Sequence, residues 1–190
     1  MSVRSLQRDV RDTYAFHPVA VADLALLRTW LELPHMRKWW GDPEVELGYI
    51  RDMIEGRDTT RPFIFSVDGE AVGYIQYWFI GHHQNDTWIA DHPWLAELPS
   101  EAIGVDLSIG DPGRLSQGIG SGVLRAFTER LVGQGHKTII IDPDPDNLRA
   151  VRAYEKAGYR AIPRLQGRTG DTLIMQYQSN DTDPYRASTP

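Results

Sequence analysis

The sequence predicts an α/β (α+β) fold, and three stretches of the chain support that prediction. Residues 103–128, IGVDLSIGDPGRLSQGIGSGVLRAFT, have the pattern of a β-strand, a glycine-rich turn and an amphipathic helix. Two β-rich runs, Arg61–Val67 and Ala71–Ile80, meet at Asp68-Gly69, which is a strong hairpin signal. A short buried strand at Lys137–Ile141 then precedes a second helical stretch. Strands and helices are therefore both expected in the core.

The first half of the chain begins with a strand signal and two helix signals. Thr13–Val19 reads as a strand, and Val21–Leu33 carries leucines at helical spacing. Trp39 and Trp40 then stand at a predicted turn. Because adjacent side chains rarely share one environment, at least one of these rings is expected to line a pocket. Pro43–Gly56 predicts a second helix.

The middle of the chain is apolar at first and then rich in aromatic and acidic residues. Ala71–Ile80 is too apolar to face water on one side, so it is predicted to be a central strand. Gly81–Ser100 is predicted to be a long functional loop, because its aromatic content argues against disorder. The ring-bearing residues of this stretch are His82, His83, Trp88, His92 and Trp94.

The second half continues with a predicted strand at Ile103–Ile109 and a helix from Ile119 to Val132. The strand Lys137–Ile141 is expected to run parallel to Ile103–Ile109. Asp146 has the position of an N-cap for a helix over Asn147–Ala157. The last predicted elements are a C-terminal turn at Gly158 and a closing hairpin of Tyr159–Pro163 and Thr172–Tyr177 around Gly167–Gly170.

One domain is expected from a chain of 190 residues of which 41% are hydrophobic. We predict that it spans residues 13–178, after a flexible N-terminus at residues 1–12 and before a mobile tail at residues 179–190. The chain has no cysteine, which excludes disulfides and acyl-cysteine intermediates, so group transfer is expected to be direct. The polar start MSVRSLQRDVRD shows neither a signal peptide nor a membrane span and predicts a cytoplasmic protein.

Acidic residues dominate the middle of the chain. Pro62–Gly113 contains no Lys or Arg, although the formal net charge of the whole chain is only −6. Such a surface argues against nucleic acid as a partner. Two interpretations remain open: a solvated surface that keeps the protein soluble, or a site for a cationic substrate. The acidic residues of this span are Asp68, Glu70, Asp86, Asp91, Glu97, Glu101, Asp106 and Asp111.

The glycine-rich turn predicts a phosphate site. Gly118, Gly120 and Gly122 are expected to let the backbone turn sharply and expose successive N–H groups, to which the following helix adds the positive end of its dipole. A Walker loop is excluded because it needs a Gly-Lys pair, and this stretch contains no Lys. A dinucleotide fingerprint fits the strand-turn-helix context but requires Gly or Ala where Val123 stands.

A third kind of phosphate loop matches better. Gln117–Gly122 resembles the acyl-CoA loop of the GNAT acetyltransferases, although Leu115 stands where that family usually has Gln or Arg. Residues 147–159, NLRAVRAYEKAGY, match a second GNAT pattern, with Asn, Ala three residues later and Tyr seven residues later. Asn147 and Tyr154 lie two helical turns apart on one face, so they can contact one ligand.

The GNAT resemblance implies a mixed, mostly antiparallel sheet with helices on both faces and two central strands splayed apart to admit acyl-CoA. Acetyl-CoA is therefore the expected cosubstrate. Backbone N–H groups around Leu107, Ser108 and Ile109 would hold the pantetheine and thioester, and Asn147 would hold the pantetheine arm. Tyr154 would contact the same ligand and protonate the departing thiolate. The residues expected at the pyrophosphate are Gln117, Gly118, Ile119, Gly120, Ser121 and Gly122.

A closer resemblance links most of the chain, from Phe16 to Met175, to the aminoglycoside 6′-N-acetyltransferases. It rests on four matches in order and spacing: Trp39-Trp40-Gly41, Gly73-Tyr74-Ile75-Gln76, Gly104-Val105-Asp106 and Asp142–Ala150. In that family, carboxylates matching Asp106 and Asp142 lie at the ends of the two central strands and face the acceptor amine. The substrate-binding residues that the resemblance implies are Trp39, Trp40, Gln76, Trp88, Asp106, Asp142 and Asp144.

Asp106 and Asp142 also suit the chemistry of amine acetylation. The acceptor amine has to lose a proton before it attacks a thioester, and a nearby carboxylate can accept that proton directly or through water. An ordinary Asp, with a pKa of about 3.9, is a weak base, and a second carboxylate beside it would raise its pKa. Each residue also has a structural interpretation, Asp106 as the polar end of a strand and Asp142 as a turn residue before Pro143.

Two metal-binding interpretations fail on their spacing. The run Asp142-x-Asp144-x-Asp146 begins like a calcium loop but lacks Gly at its sixth position and Glu at its twelfth. The histidines of Gly81–Ser100 lack the cysteine or HExxH partner that a zinc site would need. The sequence therefore predicts an enzyme without a metal.

These observations predict a CoA-dependent N-acetyltransferase that modifies a polycationic small molecule at the 6′-amine of an aminoglycoside and so confers resistance. Two alternatives remain open. A siderophore-pathway or lysine N-acyltransferase would share the fold, although that group usually has a His where Asp106 stands. A non-catalytic CoA-binding sensor would need Asn147 and the glycines but not the carboxylates. We expect a monomer or homodimer that has neither nucleic acid nor a membrane as its partner.

Overall fold

A seven-stranded sheet runs through residues 13–179, which are the residues that this computed structural model describes. Its strands are β1 Tyr14–Pro18, β2 Arg61–Val67, β3 Glu70–Phe79, β4 Ile103–Ile109, β5 Ile139–Ile141, β6 Tyr159–Ala161 and β7 Met175–Tyr177. They lie in the order β1-β2-β3-β4-β5-β7-β6, and every neighbouring pair is antiparallel except the parallel pair β4 and β5. The expected mixed, mostly antiparallel sheet is confirmed.

The helices of the same residues are α1 Leu24–Leu31, α2 Pro34–Trp40, α3 Pro43–Ile54, α4 Ile80–His83, α5 Asp86–Asp91, α6 Ile119–Gly133 and α7 Leu148–Ala157. Short 3₁₀ turns lie at Val21–Asp23, Pro93–Glu97, Pro112–Arg114 and Pro163–Leu165. None of these helices has the length and the apolar run needed to cross a bilayer. The flexible N-terminus predicted for residues 1–12, and the predicted tail beyond residue 179, lie outside the described residues.

The hairpin of β2 and β3 forms where the sequence predicts it. Asp68 and Gly69 have positive φ angles of 51° and 88°, the left-handed conformations that a two-residue hairpin turn requires. β3 lies between β2 and β4, which confirms that it is an internal strand and explains its apolar sequence. β4 has the predicted bounds, and β5 is parallel to it as predicted.

Two predictions for the first half of the chain were wrong. Val21–Leu33 is not one helix, because Asp23 accepts a hydrogen bond from the Ala20 N–H and tightens the first turn into a 3₁₀ turn before α1. The stretch around the paired tryptophans is not a turn but the helix α2. Pro34 occupies the first turn of α2, where its missing N–H costs nothing, and Gly41 ends the helix with a φ of 94°.

Gly81–Ser100 is not one irregular loop either. It contains the end of α4, all of α5 and the 3₁₀ turn Pro93–Glu97. Trp94 and Leu95 of this stretch are buried in a small apolar cluster that includes Ile80. Each helix is too short to show a helical period in the sequence, so only its capping could have indicated it. Asn85 is such a cap, because its side chain accepts a hydrogen bond from the N–H of Trp88.

The helix predicted over Asn147–Ala157 begins one residue later, and its N-cap is Asn147 rather than Asp146. The Asn147 Oδ1 accepts a hydrogen bond from the Ala150 N–H at 3.3 Å. The N–H of Asp146 instead donates to the Oδ1 of Asp144 in the preceding turn. This turn holds Asn147 at the start of α7.

Helices cover both faces of the sheet, as expected. On one face, Leu47 and Ile50 of α3 pack in a buried cluster with Tyr74 of β3, and α1 and α2 contribute to the same cluster. On the other face, Phe127 of α6 and Tyr154 of α7 belong to the largest apolar cluster, which covers the centre of the sheet. The sheet is therefore buried on both sides at β3 and β4.

The two parallel strands at the centre of the sheet diverge. β4 and β5 pair only at Ile103 with Ile139 and at Gly104 with Ile140, although β4 continues to Ile109. β5 ends at Ile141, after which the chain leaves the sheet toward α7. The second half of β4 is consequently free of β5, and the predicted site residues gather around this opening.

Candidate active site

A cavity of about 470 Å³ lies at the diverging end of β4. Leu107, Ser108 and Ile109 of β4 line it, and so do Trp39 and Trp40 of α2. Further lining residues come from the glycine-rich turn and from α7: Leu115, Ser116, Gly118, Gly120, Ser121, Asn147, Arg149, Ala150, Arg152, Ala153, Tyr154 and Lys156. The cavity thus joins the two motifs that the sequence analysis singled out.

The glycine-rich turn bends sharply at one glycine rather than at three. Gly118 is the N-cap residue of α6 and has a φ of 84°, whereas Gly120 and Gly122 are inside the helix. A Cβ atom at Gly120 would meet only the Cδ1 of Ile109, at 3.8 Å, so this glycine leaves room on the cavity side. A Cβ atom at Gly122 would lie 2.1 Å from the Oη of Tyr14, so this glycine serves the packing of β1 against α6.

Two helices place positive charge at the wall of the cavity. The first turn of α6 adds N–H groups and the positive end of the helix dipole. Arg149, Arg152 and Lys156 of α7 line the same cavity. Guanidinium and ammonium groups form charge-assisted hydrogen bonds with phosphate oxygens, so this wall suits a polyphosphate.

Polar side chains form a chain across one face of β3 and β4. The Tyr74 hydroxyl donates to the Oε1 of Gln76 at 2.6 Å, and the Nε2 of Gln76 donates to the Oδ2 of Asp106 at 2.7 Å. Gln76 and Asp106 are direct partners across the strands. The Trp78 indole also lowers the pKa of the Asp106 carboxyl, and it can lie across β4 because its partner there, Gly104, has no side chain.

Asp106 and Asp142 are close enough to interact electrostatically. Burial raises the pKa of Asp142 well above its usual value, and the charge of Asp106 raises it further. Burial also raises the pKa of Asp106, against the opposing effect of its hydrogen bonds from Gln76 and Trp78. A carboxylate in this environment is a stronger base than an exposed Asp.

The charge of Asp106 also raises the pKa of two further acids, Tyr154 and Glu46. Burial, followed by the charges of Asp106 and Asp142, raises the pKa of the Tyr154 hydroxyl, so this phenol stays protonated at neutral pH. Glu46 of α3 is half-buried, and burial together with the charge of Asp106 raises its pKa to about 7. Among the described residues, the carboxylate of Glu46 has no hydrogen-bond or ion-pair partner, whereas that of Glu44 pairs with Arg28.

A row of aromatic rings leads from the carboxylates to the surface. Trp78 contacts His83 edge to face with ring centroids 5.0 Å apart, and His83 contacts Trp88 in the same way at 4.9 Å. Trp88 in turn stacks on His92 at 5.8 Å and is 46% exposed. Trp78 and His83 therefore lie between Asp106 and Trp88 in this row of rings.

Residues 20–166 match the family profile described as "Acetyltransferase (GNAT) domain". The chain belongs to the GNAT acetyltransferase family. This finding, together with the sheet topology, confirms the predicted GNAT fold with its splayed central strands.

Named relatives of this GNAT enzyme are aminoglycoside acetyltransferases. It is 31% identical over 179 residues to "Aminoglycoside N(6')-acetyltransferase type 1" of Klebsiella pneumoniae, which covers 90% of this chain and 86% of the relative. A structure of AAC(6')-Ib in complex with parmomycin and acetyl-CoA superposes with a TM-score of 0.74 and 28% identity, over 94% of this chain and 100% of that one. A second AAC(6')-Ib structure, with coenzyme A and kanamycin, superposes with a TM-score of 0.71 and 26% identity, over 89% of this chain and 96% of that one.

The GNAT domain brings most of the predicted site residues together. The predicted residues that line the cavity are Trp39, Trp40, Leu107, Ser108, Ile109, Gly118, Gly120, Ser121, Asn147 and Tyr154. Three predicted loop residues do not line it: Gln117 donates to the carbonyl of Gly113, Ile119 is buried in the core, and Gly122 faces Tyr14. Gln76, Asp106 and Asp142 are not among the cavity-lining residues, although the charges of Asp106 and Asp142 raise the pKa of Tyr154, which lines the cavity. Asp144 is exposed in the turn before α7.

Several residues of the GNAT site were missed by the sequence analysis. His35 of α2 makes a hydrogen bond of 2.8 Å between its Nε2 and the carbonyl of Ile109, which ties α2 to the free end of β4. The other missed residues are Glu46, Trp78, Arg149, Arg152 and Lys156. The basic residues of α7 could have been found from their spacing of three and then four residues, which places them on one face of the helix. Glu46 gave no sequence signal.

Proposed function

We propose that this chain is an acetyl-CoA-dependent aminoglycoside 6′-N-acetyltransferase that transfers the acetyl group directly within a ternary complex. The observation that carries the proposal is the pair Asp106 and Asp142, two interacting carboxylates placed where β4 and β5 diverge. Aminoglycoside resistance follows from that activity. In the same proposal, residues 13–178 form one domain that acts in the cytoplasm as a monomer or homodimer.

The cavity has the chemistry that acetyl-CoA requires. Gly118, Gly120 and Ser121, at the start of α6, would hold the pyrophosphate on backbone N–H groups. Arg149 and Arg152 would supply charge-assisted hydrogen bonds to the phosphates. The free edge of β4 at Leu107, Ser108 and Ile109 would hold the pantetheine by strand-like hydrogen bonds, with Asn147 beside it.

Asp106 is the residue that we assign as the base. The substrate ammonium has to become a neutral amine before its nitrogen can attack the thioester carbon, and Asp106 would accept that proton directly or through water. Its raised pKa brings it closer to that of the ammonium than an exposed Asp would be. Asp142, whose own pKa is raised by burial and by the charge of Asp106, would hold the positive charge of the substrate in place.

Tyr154 is the residue that we assign as the acid. When the carbon–sulfur bond breaks, the electron pair stays on sulfur, and the Tyr154 hydroxyl would give its proton to the thiolate. Tyr154 lines the cavity on α7, and its raised pKa keeps the proton available at neutral pH.

The charges around the acceptor side favour a substrate with several amines. The charge of Asp106 acts on both Asp142 and Glu46, and the span that includes Asp106 has no Lys or Arg. A polycation gains about 1.5 to 3 kcal/mol from each well-placed charge-assisted hydrogen bond. Trp40, which contacts Tyr74 edge to face at 5.4 Å, would give the sugar rings an apolar wall.

A thiol-release assay with acetyl-CoA tests the proposal. Two aminoglycosides that differ only in a 6′-amine or a 6′-hydroxyl form the central pair, with lysine, hydroxylysine and a peptide amine as competing acceptors. We expect release with the 6′-amine compound, and NMR of the product should show the acetyl group on that nitrogen. Release with lysine and with no aminoglycoside would favour the lysine acyltransferase alternative. Acetyl-CoA binding without release with any acceptor would favour the sensor.

A further inference from the structure

Tyr74 is a buried residue whose hydroxyl is directed at the side chain that holds Asp106. Only 2% of Tyr74 is exposed, and its ring packs among Leu47, Ile50 and Ile64. Its hydroxyl lies 2.6 Å from the Oε1 of Gln76 and 3.8 Å from the sulfur of Met53. The single hydroxyl proton therefore goes to Gln76, because the contact with sulfur is too long to compete.

The hydrogen bond from Tyr74 decides which end of the Gln76 amide faces Asp106. An amide has a donor end and an acceptor end, and the two exchange places when the group rotates by half a turn. The ionised Asp106 can only accept hydrogen bonds, so it needs the NH₂ end at the observed 2.7 Å. Tyr74 donates to the oxygen end and so holds the NH₂ end toward Asp106.

We propose that Tyr74 is a positioning residue that acts through Gln76 to keep the Asp106 carboxylate ionised and oriented for the acceptor amine. The inference rests on the proposed function, in which Asp106 is the base. Tyr74, Gln76 and Asp106 lie on one face of two paired strands, with Gln76 directly opposite Asp106. Strand pairing fixes the backbones of these residues, so rotation of the Gln76 amide group is the main freedom left in this chain of contacts. The hydrogen bond from the Tyr74 hydroxyl removes that freedom.

Loss of this hydroxyl has a defined electrostatic consequence. In Tyr74→Phe the amide is free to turn its oxygen toward Asp106, which repels a carboxylate and favours the protonated acid. The other groups that face Asp106 stay in place: Trp78 and His83 favour its charged form, and Glu46, Asp142 and Tyr154 interact with it electrostatically. The pKa of Asp106 should therefore rise without any loss of packing.

The test is the pH profile of kcat/KM in Tyr74→Phe. We expect the acidic limb to move to higher pH by roughly one unit, with activity returning toward that of the wild type at high pH. Tyr159→Phe is the matched control, because the Tyr159 hydroxyl is also buried and bonds Thr128 at 2.7 Å, on the other side of the core. In Tyr159→Phe the acidic limb of the kcat/KM profile should lie at the same pH as in the wild type. Activity lost equally at every pH in Tyr74→Phe would overturn the inference.

A double-mutant cycle separates positioning through Gln76 from a general packing effect. Gln76→Leu keeps Tyr74 and its packing but removes the same hydrogen bond to Asp106, so it should show the same upward shift of the limb. Adding Tyr74→Phe to Gln76→Leu should shift it no further. An additive shift, or an unshifted limb in Gln76→Leu, would contradict action through Gln76.

A measurement without turnover separates this inference from the proposed function. The ¹³Cγ signal of Asp106, assigned by its loss in Asp106→Asn, can be titrated in the free enzyme. We expect its midpoint to lie at higher pH in Tyr74→Phe than in the wild type and to be unchanged in Tyr159→Phe. An equal midpoint in all three would overturn the inference alone. Wild-type protein that acetylates no aminoglycoside, with the midpoint shifted as expected, would overturn the proposed function alone.

Discussion

Asp106 on β4 and Asp142, which directly follows β5, each lie two residues beyond the last pair that joins the two parallel strands. That last pair is Gly104 with Ile140, after which β4 and β5 separate. The charge of Asp106 nevertheless raises the pKa of Asp142, so the two carboxylates interact across the opening. Continuous pairing would make the two residues direct neighbours in the sheet, so the divergence leaves space between two like charges.

The first prediction concerns the coupling of these two carboxylates. Asp106→Asn removes a negative charge beside Asp142, so the pKa of Asp142 should fall toward its ordinary value. The midpoint of the Asp142 ¹³Cγ signal, titrated in the free enzyme, should then lie at lower pH than in the wild type. Asp144→Asn is the control, because Asp144 is exposed in the turn, and it should leave that midpoint unchanged. A midpoint that stays in place in Asp106→Asn would show that the two carboxylates titrate independently.

Tyr154→Phe should lower kcat by about 10² if thiolate departure limits turnover, because the variant keeps the ring but loses the proton donor. Tyr154 is 8% exposed and its ring belongs to the main apolar cluster, so the fold should be retained. Steady-state kinetics with saturating acetyl-CoA gives the answer. A kcat near that of the wild type would assign Tyr154 a packing role and leave thiolate protonation to water.

Two glycines of the same loop should respond to substitution in opposite ways. Gly120→Val adds bulk on the cavity side, so acetyl-CoA affinity should fall by at least tenfold while the melting temperature changes little. Gly122→Ala drives a Cβ into the Tyr14 ring, so it should destabilise the fold by about 1 to 3 kcal/mol. Calorimetric titration and thermal melts of both variants test this pair. The reverse pattern would mean that Gly122, not Gly120, faces the ligand.

Glu46 should make the stability of the free protein depend on pH. Its pKa is about 7 in the folded protein against an ordinary value of 4.5, so the folded state binds this proton more tightly than the unfolded chain does. That contribution is complete below about pH 4.5 and is lost as the pH rises through about 7. Glu46→Gln should therefore raise Tm relative to the wild type more at pH 8 than at pH 5.

Glu44→Gln is the control for Glu46, since Glu44 lies in the first turn of the same helix, is exposed and pairs with Arg28. It should show no such dependence. Equal Tm differences for Glu46→Gln at the two pH values would mean that Glu46 is solvated and far from Asp106.

Local signals predicted the parts of the fold that depend on short stretches of sequence. Asp68-Gly69 specifies its own hairpin through two left-handed residues, and Gly158 ends α7 with a φ of 106° as predicted. The GNAT resemblance then indicated the glycine-rich turn and Asn147 as parts of one cavity. The helix α2 was not predicted because Trp39 and Trp40 were expected at a turn, whereas Pro34 is favoured in the first turn of a helix and begins α2.

Residues that reach the site through tertiary packing left no signal in the sequence. Glu46 lies 60 residues before Asp106 in the chain, and the packing of Leu47 and Ile50 against Tyr74 brings the two together. Trp78 has the sequence pattern of an ordinary strand residue, and the position of its ring near Asp106 depends on the absence of a side chain at Gly104. Such contacts depend on strand register and helix packing, which no local pattern encodes.

The central claim is that Asp106 accepts the proton of an aminoglycoside amine, and one variant tests it most directly. Asp106→Asn keeps the shape of the side chain but cannot accept the proton, so kcat for a 6′-amine aminoglycoside should fall by 10² or more. Acetyl-CoA affinity of the same protein, measured by calorimetry, should stay within about twofold of the wild type because Asp106 does not line the cavity. Asp106→Asn with near-wild-type kcat and intact acetyl-CoA binding would contradict the account.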